Sequence, residues 1–181
     1  TFDIGFESGT SPKCFNQALH ADTLLRISAI GAGMDLATMC DIRVASTTAT
    51  FAESFLRVGL ISGDGGAWYL PRVVGKAKAM EMALTCCTLD AIQAKEWGLV
   101  THIEEPENLL DKAWELAEQI TAFPPKSIRM NKRLVRQSAD LPLETALDLA
   151  ASFQAIVQNT KDQSEAVNAL LERRAPQFTG S

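Results

Sequence analysis

The sequence has few residues of the types that bind metal ions or form disulfides. Its two histidines, His20 and His102, lie outside any cluster with metal-ligand spacing, so no metal site is expected. The four cysteines include no Cys-x-x-Cys pair, and Cys86 and Cys87 lie in an apolar segment that suits buried free thiols. We therefore expect no metal, no other cofactor, and a reducing compartment. This would be the cytoplasm or, if a targeting segment is missing, an organelle matrix.

Long apolar runs and an excess of positive charge are also missing. No apolar run approaches the roughly 18 residues needed to span a bilayer, and the initial T-F-D-I-G-F-E lacks the basic start of a signal peptide. Seventeen basic and 22 acidic residues give a net charge of −5, which argues against a dedicated nucleic-acid-binding protein. With 46% hydrophobic residues, the 181-residue chain can bury a sizeable core. We expect a globular protein whose partners are neither membranes nor nucleic acids.

A glycine turn at positions 31–33 is the first feature that indicates a site. Gly31 and Gly33 bracket Ala32 and precede apolar residues at helical spacing, so the turn should lead directly into a buried helix. The first N–H groups of a helix have no partners within it. Together with the helix dipole they can receive negative charge or a polarised carbonyl oxygen. Asp35 follows within one turn, and the pattern leaves open whether it caps the helix or faces the bound group.

Three segments in order place this turn in a wider pattern. They read G-A-G-M-D-L-A-T-M-C-D-I-R-V-A-S, then A-T-F-A-E-S-F-L-R-V-G-L-I-S-G-D-G-G, then L-P-R-V-V-G. At this spacing they resemble the crotonase (enoyl-CoA hydratase/isomerase) superfamily, and a weaker resemblance continues to L-E-R-R-A-P-Q-F near the C-terminus. The resemblance implies a crotonase-like α/β fold of the ClpP/crotonase type. Residues 1–104 would form a partial α/β core, and residues 105–181 a helical oligomerisation region.

Residues 1–29 depart from the pattern of that superfamily. The family has a longer segment here, with βαβ repeats and an A-G-x-D-like loop that supplies one of two oxyanion-hole N–H groups and part of the coenzyme A pocket. Nothing in residues 1–29 matches that loop. The segment is turn-rich at its start, and residues 16–25 are compatible with a short helix. Relative to the family, the chain is expected to be truncated at its N-terminus.

The resemblance assigns the other oxyanion-hole N–H to Ala32, between Gly31 and Gly33. Only a backbone N–H is needed there, so alanine preserves the function. Hydratases of the family also use two glutamates as general base and acid. The first falls at Asp35, which is one methylene shorter and keeps acid–base chemistry possible. The second falls at Phe55, whose ring cannot transfer protons and is assigned to substrate binding instead.

Two other carboxylates are the nearest substitutes for the missing glutamate. Glu53 lies two residues before Phe55, and on an extended strand both side chains would share one face. Asp64 lies in the glycine-rich loop, one position beyond a catalytic aspartate of some family members, and its simpler interpretation is a turn residue. The candidate catalytic residues are therefore Asp35, Glu53 and Asp64, with Asp35 favoured because it shares the first helical turn with Ala32.

The first half of the chain should alternate strands and helices, and the second half should be helical. Strands are predicted at D-I-R-V-A-S, at A-T-F-A and over 99–103, and helices from Ala67, Lys76 and Ala91. Pro106 suits the first residue of a further helix, and Thr160 suits an N-cap. In the family such C-terminal helices mediate assembly, so a homotrimer or hexamer is expected.

Charged residues of the C-terminal half provide candidate contacts for coenzyme A. The resemblance places Arg173 and Phe178 where the family's C-terminal motif reaches coenzyme A, often on a neighbouring subunit. A basic helical face could also meet phosphates or RNA, although a solvated face is the simpler interpretation. This face comprises Arg129, Lys132, Arg133 and Arg136.

The residues and the resemblance predict an enzyme that stabilises the enolate of an acyl-CoA thioester in an oxyanion hole. An enoyl-CoA hydratase, a lyase of fatty acid metabolism, is the favoured activity. An enoyl- or dienoyl-CoA isomerase or an acyl-CoA hydrolase uses the same oxyanion hole with other acid–base groups, and Phe55 leaves both open. The alternative from another class is a non-catalytic crotonase-like subunit or binding module. Its evidence is Phe55 and the missing N-terminal motifs.

Overall fold

The computed structural model describes residues 22–25 and 28–181, with side chains from Ser28 onward. The helix predicted for residues 16–25 lies mostly outside these residues. Its last four residues, Asp22–Leu25, are a strand, so this part of the prediction is wrong. The reason is tertiary, because Thr23 and Leu24 pair with Arg43 and Val44 of a neighbouring strand.

Two three-stranded sheets form the β part of the fold. In one sheet β3 (Ile42–Ser46) lies between β1 (Asp22–Leu25) and β6 (His102–Glu104), and all three strands are parallel. In the other, β4 (Thr50–Ala52) pairs in parallel with β2 (Ser28–Ile30) and antiparallel with β5 (Leu89–Asp90). Parallel neighbours need long crossover connections, so helices must separate these strands along the chain.

Eight α-helices and one 3₁₀-helix complete the part of the chain that the structure describes. In chain order they are α1 (Ala32–Met39), the 3₁₀-helix (Phe55–Val58), α2 (Gly66–Val74), α3 (Lys76–Thr85), α4 (Ala91–Glu96), α5 (Leu109–Thr121), α6 (Pro125–Ser138), α7 (Leu143–Gln158) and α8 (Lys161–Glu172). Within residues 22–25 and 28–181, no helix has the length and apolar character that a membrane crossing requires.

The apolar core holds α1 beside the end of β4. Met34 of α1, Phe51 of β4 and Met82 of α3 each bury their whole side chain in this cluster. Burial of a side chain of this size contributes about 1.5–3 kcal/mol, so the three together fix these elements firmly. The other members are Ala29, Ala37, Ala45, Ala49, Leu70, Val74, Ala79, Leu89, Ala94, Leu99 and Val100.

The central strand β3 is buried, as its position between two parallel neighbours requires. Val44 and Ser46 have no exposed surface. Arg43 is only 6% exposed, and its guanidinium donates hydrogen bonds to the backbone carbonyl oxygens of Leu99 and Cys40. A buried charge needs such partners. Arg43 therefore ties β3 to the segment that leads into β6.

Two predicted boundaries are wrong for local reasons. The helix expected from Pro106 begins at Leu109, because residues 106–108 form a turn and Asn108 supplies the first carbonyl acceptor, to the N–H of Lys112 at 3.0 Å. The strand expected over 99–103 starts three residues later and covers His102–Glu104. Its first part instead closes α4, since the Leu99 N–H donates to the Ala94 carbonyl at 2.8 Å.

The described residues form two compact units, and the division falls within α5, between Glu115 and Leu116. The predicted division at residue 104 stays a prediction. In the second unit, the Arg133 guanidinium lies 5.2 Å from the centre of the buried Phe153 ring, which joins α6 to α7. The predicted N-cap at Thr160 is present, because its hydroxyl accepts the N–H of Gln163 at 3.1 Å.

The C-terminal tail of the second unit folds back onto the first turn of α8. Asp162 is 2% exposed, and its two carboxylate oxygens accept the N–H groups of Thr179 at 2.7 Å and Gly180 at 2.8 Å. In return the Ser181 carbonyl accepts the N–H of Lys161 at 3.0 Å. The tail thus satisfies the donors that a helix start leaves free.

Candidate active site

The glycine turn has the geometry that the sequence predicts. Gly31 adopts φ 56° and ψ −124°, a conformation that favours glycine, and α1 starts at the next residue, Ala32. The Gly31 N–H donates to the Ala52 carbonyl at 2.9 Å, and the Gly31 carbonyl accepts the first helical hydrogen bond, from Met34 at 2.8 Å. Gly33 is buried whereas Ala32 is exposed. A backbone N–H at the positive end of α1 is therefore held in place beside the end of β4.

Asp35 is completely buried one turn after Gly31. Its Oδ2 accepts a hydrogen bond from the Ser62 hydroxyl at 2.8 Å, and Ser62 Oγ in turn accepts the N–H of Ala67 at 3.2 Å. Ala67 belongs to the first turn of α2. Ser62 therefore connects the Asp35 carboxylate to the N-terminus of a second helix.

Gly66 brings that helix into direct contact with Asp35. A Cβ atom added at Gly66 would lie 1.8 Å from Asp35 Oδ1 and 2.5 Å from its Cγ, so only glycine fits. The start of α2 carries partial positive charge, which favours an ionised carboxylate against it. Neither Ser62 nor Gly66 was predicted as a site residue from the sequence. The Gly-Gly pair that precedes an apolar run was the available signal for a close approach.

Replacing Gly66 with alanine should destabilise the fold, because the new methyl group would displace a buried side chain. Overpacking of this kind typically costs about 1–3 kcal/mol. Urea denaturation of the variant measures the loss. Gly63→Ala is the matched control, since a Cβ at Gly63 meets no described atom within 4 Å and Gly63 has no positive φ. Equal stabilities of the two variants would contradict the packing described for Gly66.

Glu53 lies at the end of β4 and faces Asp35. It is 3% exposed, and the Asp35 carboxyl group lies close enough to act on its pKa. Burial is the largest cause that raises the pKa of Glu53 to about 8, followed by hydrogen bonding with Asp35 and by the Asp35 charge. Within the described residues, Glu53 Oε1 and Asp35 Oδ1 are buried and have no hydrogen-bond partner. The two carboxyl groups therefore form a buried pair in which Glu53 carries a proton at neutral pH.

The raised pKa of Glu53 makes stability depend on pH. An exposed glutamate in the unfolded chain titrates near 4.5, so between pH 4.5 and about 8 the folded protein holds one extra proton. The stability from this group is fully present below pH 4.5 and is lost as pH rises to about 8, by at most about 1.4 kcal/mol per pH unit. Denaturation midpoints of the wild type and Glu53→Gln between pH 4 and 9 should therefore diverge. Parallel curves would contradict the assignment.

Phe55 lies beside the glycine turn, but not in the way its sequence position suggested. The backbone of Ser54 leaves the extended region, at φ −102° and ψ 13°, and Phe55 starts the 3₁₀-helix. The expectation that Glu53 and Phe55 share one face of a strand is therefore wrong. Glu53 is buried, and the half-buried Phe55 ring lies about 3.8 Å from the position of a Gly31 Cβ. Phe55 thus contributes an apolar wall at the turn.

Comparison with known proteins decides the family. The enoyl-CoA hydratase/isomerase family matches residues 25–181. The chain is 40% identical over 152 residues to 1,2-epoxyphenylacetyl-CoA isomerase of Escherichia coli, covering 84% of this chain and 58% of that protein. It is 36% identical over 153 residues to (E)-benzylidenesuccinyl-CoA hydratase of Thauera aromatica, covering 84% and 60%. The chain belongs to the enoyl-CoA hydratase/isomerase family.

Solved structures of the family confirm the predicted fold. The crystal structure of enoyl-CoA hydratase from Mycobacterium tuberculosis superposes with a TM-score of 0.83 at 35% identity, covering 86% of this chain and 62% of that one. The described residues thus have the crotonase fold, with a helical C-terminal part. The chain spans about 60% of the length of these family members.

The structure brings together only part of the predicted site. The glycine turn, Asp35 and Glu53 lie side by side, whereas Asp64 is exposed in the glycine-rich loop. Arg173 and Phe178 belong to the second unit, where Arg173 is exposed and Phe178 half-buried. The described residues contain no cluster of three or more histidine, cysteine or acidic side chains suited to a metal ion.

The basic face of α6 is partly engaged in packing. Arg129 and Lys132 are half-buried, and Arg133 stacks over Phe153. Packing within the protein therefore explains why some of these basic side chains lie on this face, without a phosphate ligand. A contact of this face with coenzyme A or RNA stays a prediction.

Proposed function

We propose that this protein processes acyl-CoA thioesters, and that its reaction is the hydration of an enoyl-CoA. The single observation that carries the proposal is the placement of a buried carboxylate, Asp35, in the first turn of the helix that starts at Ala32. A helix N-terminus can stabilise the negative charge that develops on a thioester oxygen, and an adjacent carboxylate can move a proton in the same step. Names of family relatives as hydratases and isomerases agree with this chemistry.

In this proposal the Ala32 N–H donates to the thioester oxygen as the enolate forms. The glycines on either side allow the turn, and Gly31 is fixed by its hydrogen bond to Ala52. Asp35 acts as the proton-transfer group, held by Ser62 and by the start of α2. A second oxyanion donor is expected from the family's A-G-x-D-like loop, which residues 1–29 do not match. One donor contributes about 3–4 kcal/mol to the transition state.

An enoyl-CoA isomerase is the second candidate, and Phe55 favours it. A phenyl ring occupies the position of the second hydratase glutamate and adds apolar surface beside Gly31. An isomerase moves a proton within the substrate and needs no activated water. The isomerase name of the Escherichia coli relative points in the same direction.

The test is an assay of the 181-residue chain with short 2-enoyl-CoA and 3-enoyl-CoA thioesters. Hydration removes the conjugated enoyl thioester absorbance, whereas isomerisation of the 3-enoyl substrate creates it. Calorimetry with coenzyme A is run in parallel. Turnover of 2-enoyl-CoA supports the proposal, and turnover of 3-enoyl-CoA alone selects the isomerase. Binding without turnover selects the non-catalytic binding module.

The proposed partners are acyl-CoA and further copies of the chain. Arg173 and Phe178 are proposed to contact coenzyme A, on the family resemblance alone. Assembly into a trimer or hexamer is supported by apolar side chains that the described residues leave exposed, including Val58 at 72% and Ile61 at 79%. Exposed apolar surface of this kind is usually covered by a partner.

A further inference from the structure

We propose that Glu53 is the second proton-transfer residue of this site and that Asp35 and Glu53 carry one proton between them. The proposal rests on the proposed function and names the group that replaces the glutamate expected at position 55. Glu53 would be the general acid of the reaction, and Asp35 the general base.

Geometry is the first argument. Asp35 lies in the first turn of α1 and Glu53 directly follows β4, and both side chains are almost completely buried. The Gly31 N–H bond to the Ala52 carbonyl, at 2.9 Å, holds the start of α1 against the end of β4 and brings the two carboxyl groups together, and two ionised carboxylates placed side by side repel. Each keeps one buried oxygen with no donor among the described residues. The hydrogen-bonding requirement of two such buried carboxyl groups is met when one of them is protonated and donates a hydrogen bond to the other.

The surroundings decide which member holds the proton. Asp35 accepts a hydrogen bond from Ser62 and lies against the start of α2, whose partial positive charge attracts a carboxylate. Among the residues that the structure describes, no comparable contact is made by Glu53, and its raised pKa of about 8 agrees. The charged groups of adjoining elements are placed elsewhere. Arg57 of the 3₁₀-helix donates to the carbonyl that ends α3, Asp90 of β5 caps α4, and Asp64 is exposed.

This assignment gives a balanced reaction. Asp35 takes a proton from water while the water oxygen bonds to the β-carbon of the enoyl thioester, and the π electrons move to the thioester oxygen at the Ala32 N–H. The enolate then takes the Glu53 proton at its α-carbon. The proton on Asp35 returns to Glu53 along their hydrogen bond, so the pair is restored and substrate and water have combined.

Glu53→Gln separates a catalytic role from a structural one. Glutamine has the shape of protonated glutamate and can still donate a hydrogen bond to Asp35, but it has no proton to transfer. We expect kcat to fall at least about 100-fold without any decrease in melting temperature. Glu96→Gln, which removes an exposed carboxylate from α4, is the matched control and should keep full activity. The wild-type kcat/KM should fall above pH 8, where Glu53 loses its proton.

Carboxyl carbon NMR of the labelled protein tests the shared proton without activity. One glutamate signal should titrate near pH 8, disappear in Glu53→Gln and shift to lower pH in Asp35→Asn. The proposal is overturned if every glutamate titrates below pH 6 or if Glu53→Gln keeps the wild-type kcat. A wild type without any enoyl-CoA turnover overturns the proposed function and the catalytic role of Glu53, while the NMR titration still reports on the pair.

Discussion

Replacing Ala32 with proline is expected to lower enoyl-CoA turnover strongly while the fold stays intact. Ala32 is the first residue of α1, a position where proline is well tolerated because its N–H has no helical partner. The substitution therefore removes the proposed oxyanion donor and little else. Loss of one such donor lowers kcat by about 10²–10³-fold. Steady-state kinetics and circular dichroism of the variant measure the two effects.

The chain offers a matched control for this proline. Lys76 is also the first residue of a helix, α3, and also follows a glycine with positive φ, Gly75 at 83°. Lys76→Pro should leave both fold and turnover unchanged. If Ala32→Pro folds normally and turns substrate over at the wild-type rate, the α1 N-terminus is not the oxyanion hole.

Replacing Asp35 with asparagine is expected to lower turnover at least about 10²-fold, the scale of general acid–base catalysis. The asparagine oxygen can still accept from Ser62, and the fully buried site keeps its volume. Thermal stability should therefore change little. The measurement is kcat together with the melting temperature.

Asp64→Asn is the informative companion, because it removes the exposed carboxylate of the glycine-rich loop. Full activity of Asp35→Asn combined with loss in Asp64→Asn would transfer the catalytic role to that loop. Full activity of both, and of Glu53→Gln, would leave the non-catalytic binding module as the surviving interpretation.

Local sequence signals predicted the elements that local physics controls. The glycine turn before α1, the strands β3 and β4, and the N-cap at Thr160 each follow from residue type and spacing. The strand Asp22–Leu25 did not, because its pairing with β3 is a tertiary contact. For the same reason the sequence alone could not exclude a helix there.

The contacts within the candidate site were also only partly predictable from the sequence. The pattern located Asp35 and offered Glu53 as a substitute carboxylate, but it placed Glu53 beside Phe55 on a strand. A single change of backbone conformation at Ser54 separates the two and leaves Glu53 against Asp35. Such a change of backbone conformation depends on tertiary packing around the turn, and the spacing of residues in the sequence does not predict that packing. The contact between Gly66 and Asp35 also joins segments that are 31 residues apart, since the two positions are 35 and 66.

The hydrogen bonds between the Asp162 carboxylate and the C-terminal tail affect the entropy of binding. Because the amides of Thr179 and Gly180 are bound to the first turn of α8, the tail can open only by breaking these hydrogen bonds. The segment between that turn and the two amides is thereby confined before any ligand arrives, and it includes Arg173 and Phe178. A ligand that used these two side chains would find much of the ordering cost of binding already met by the fold.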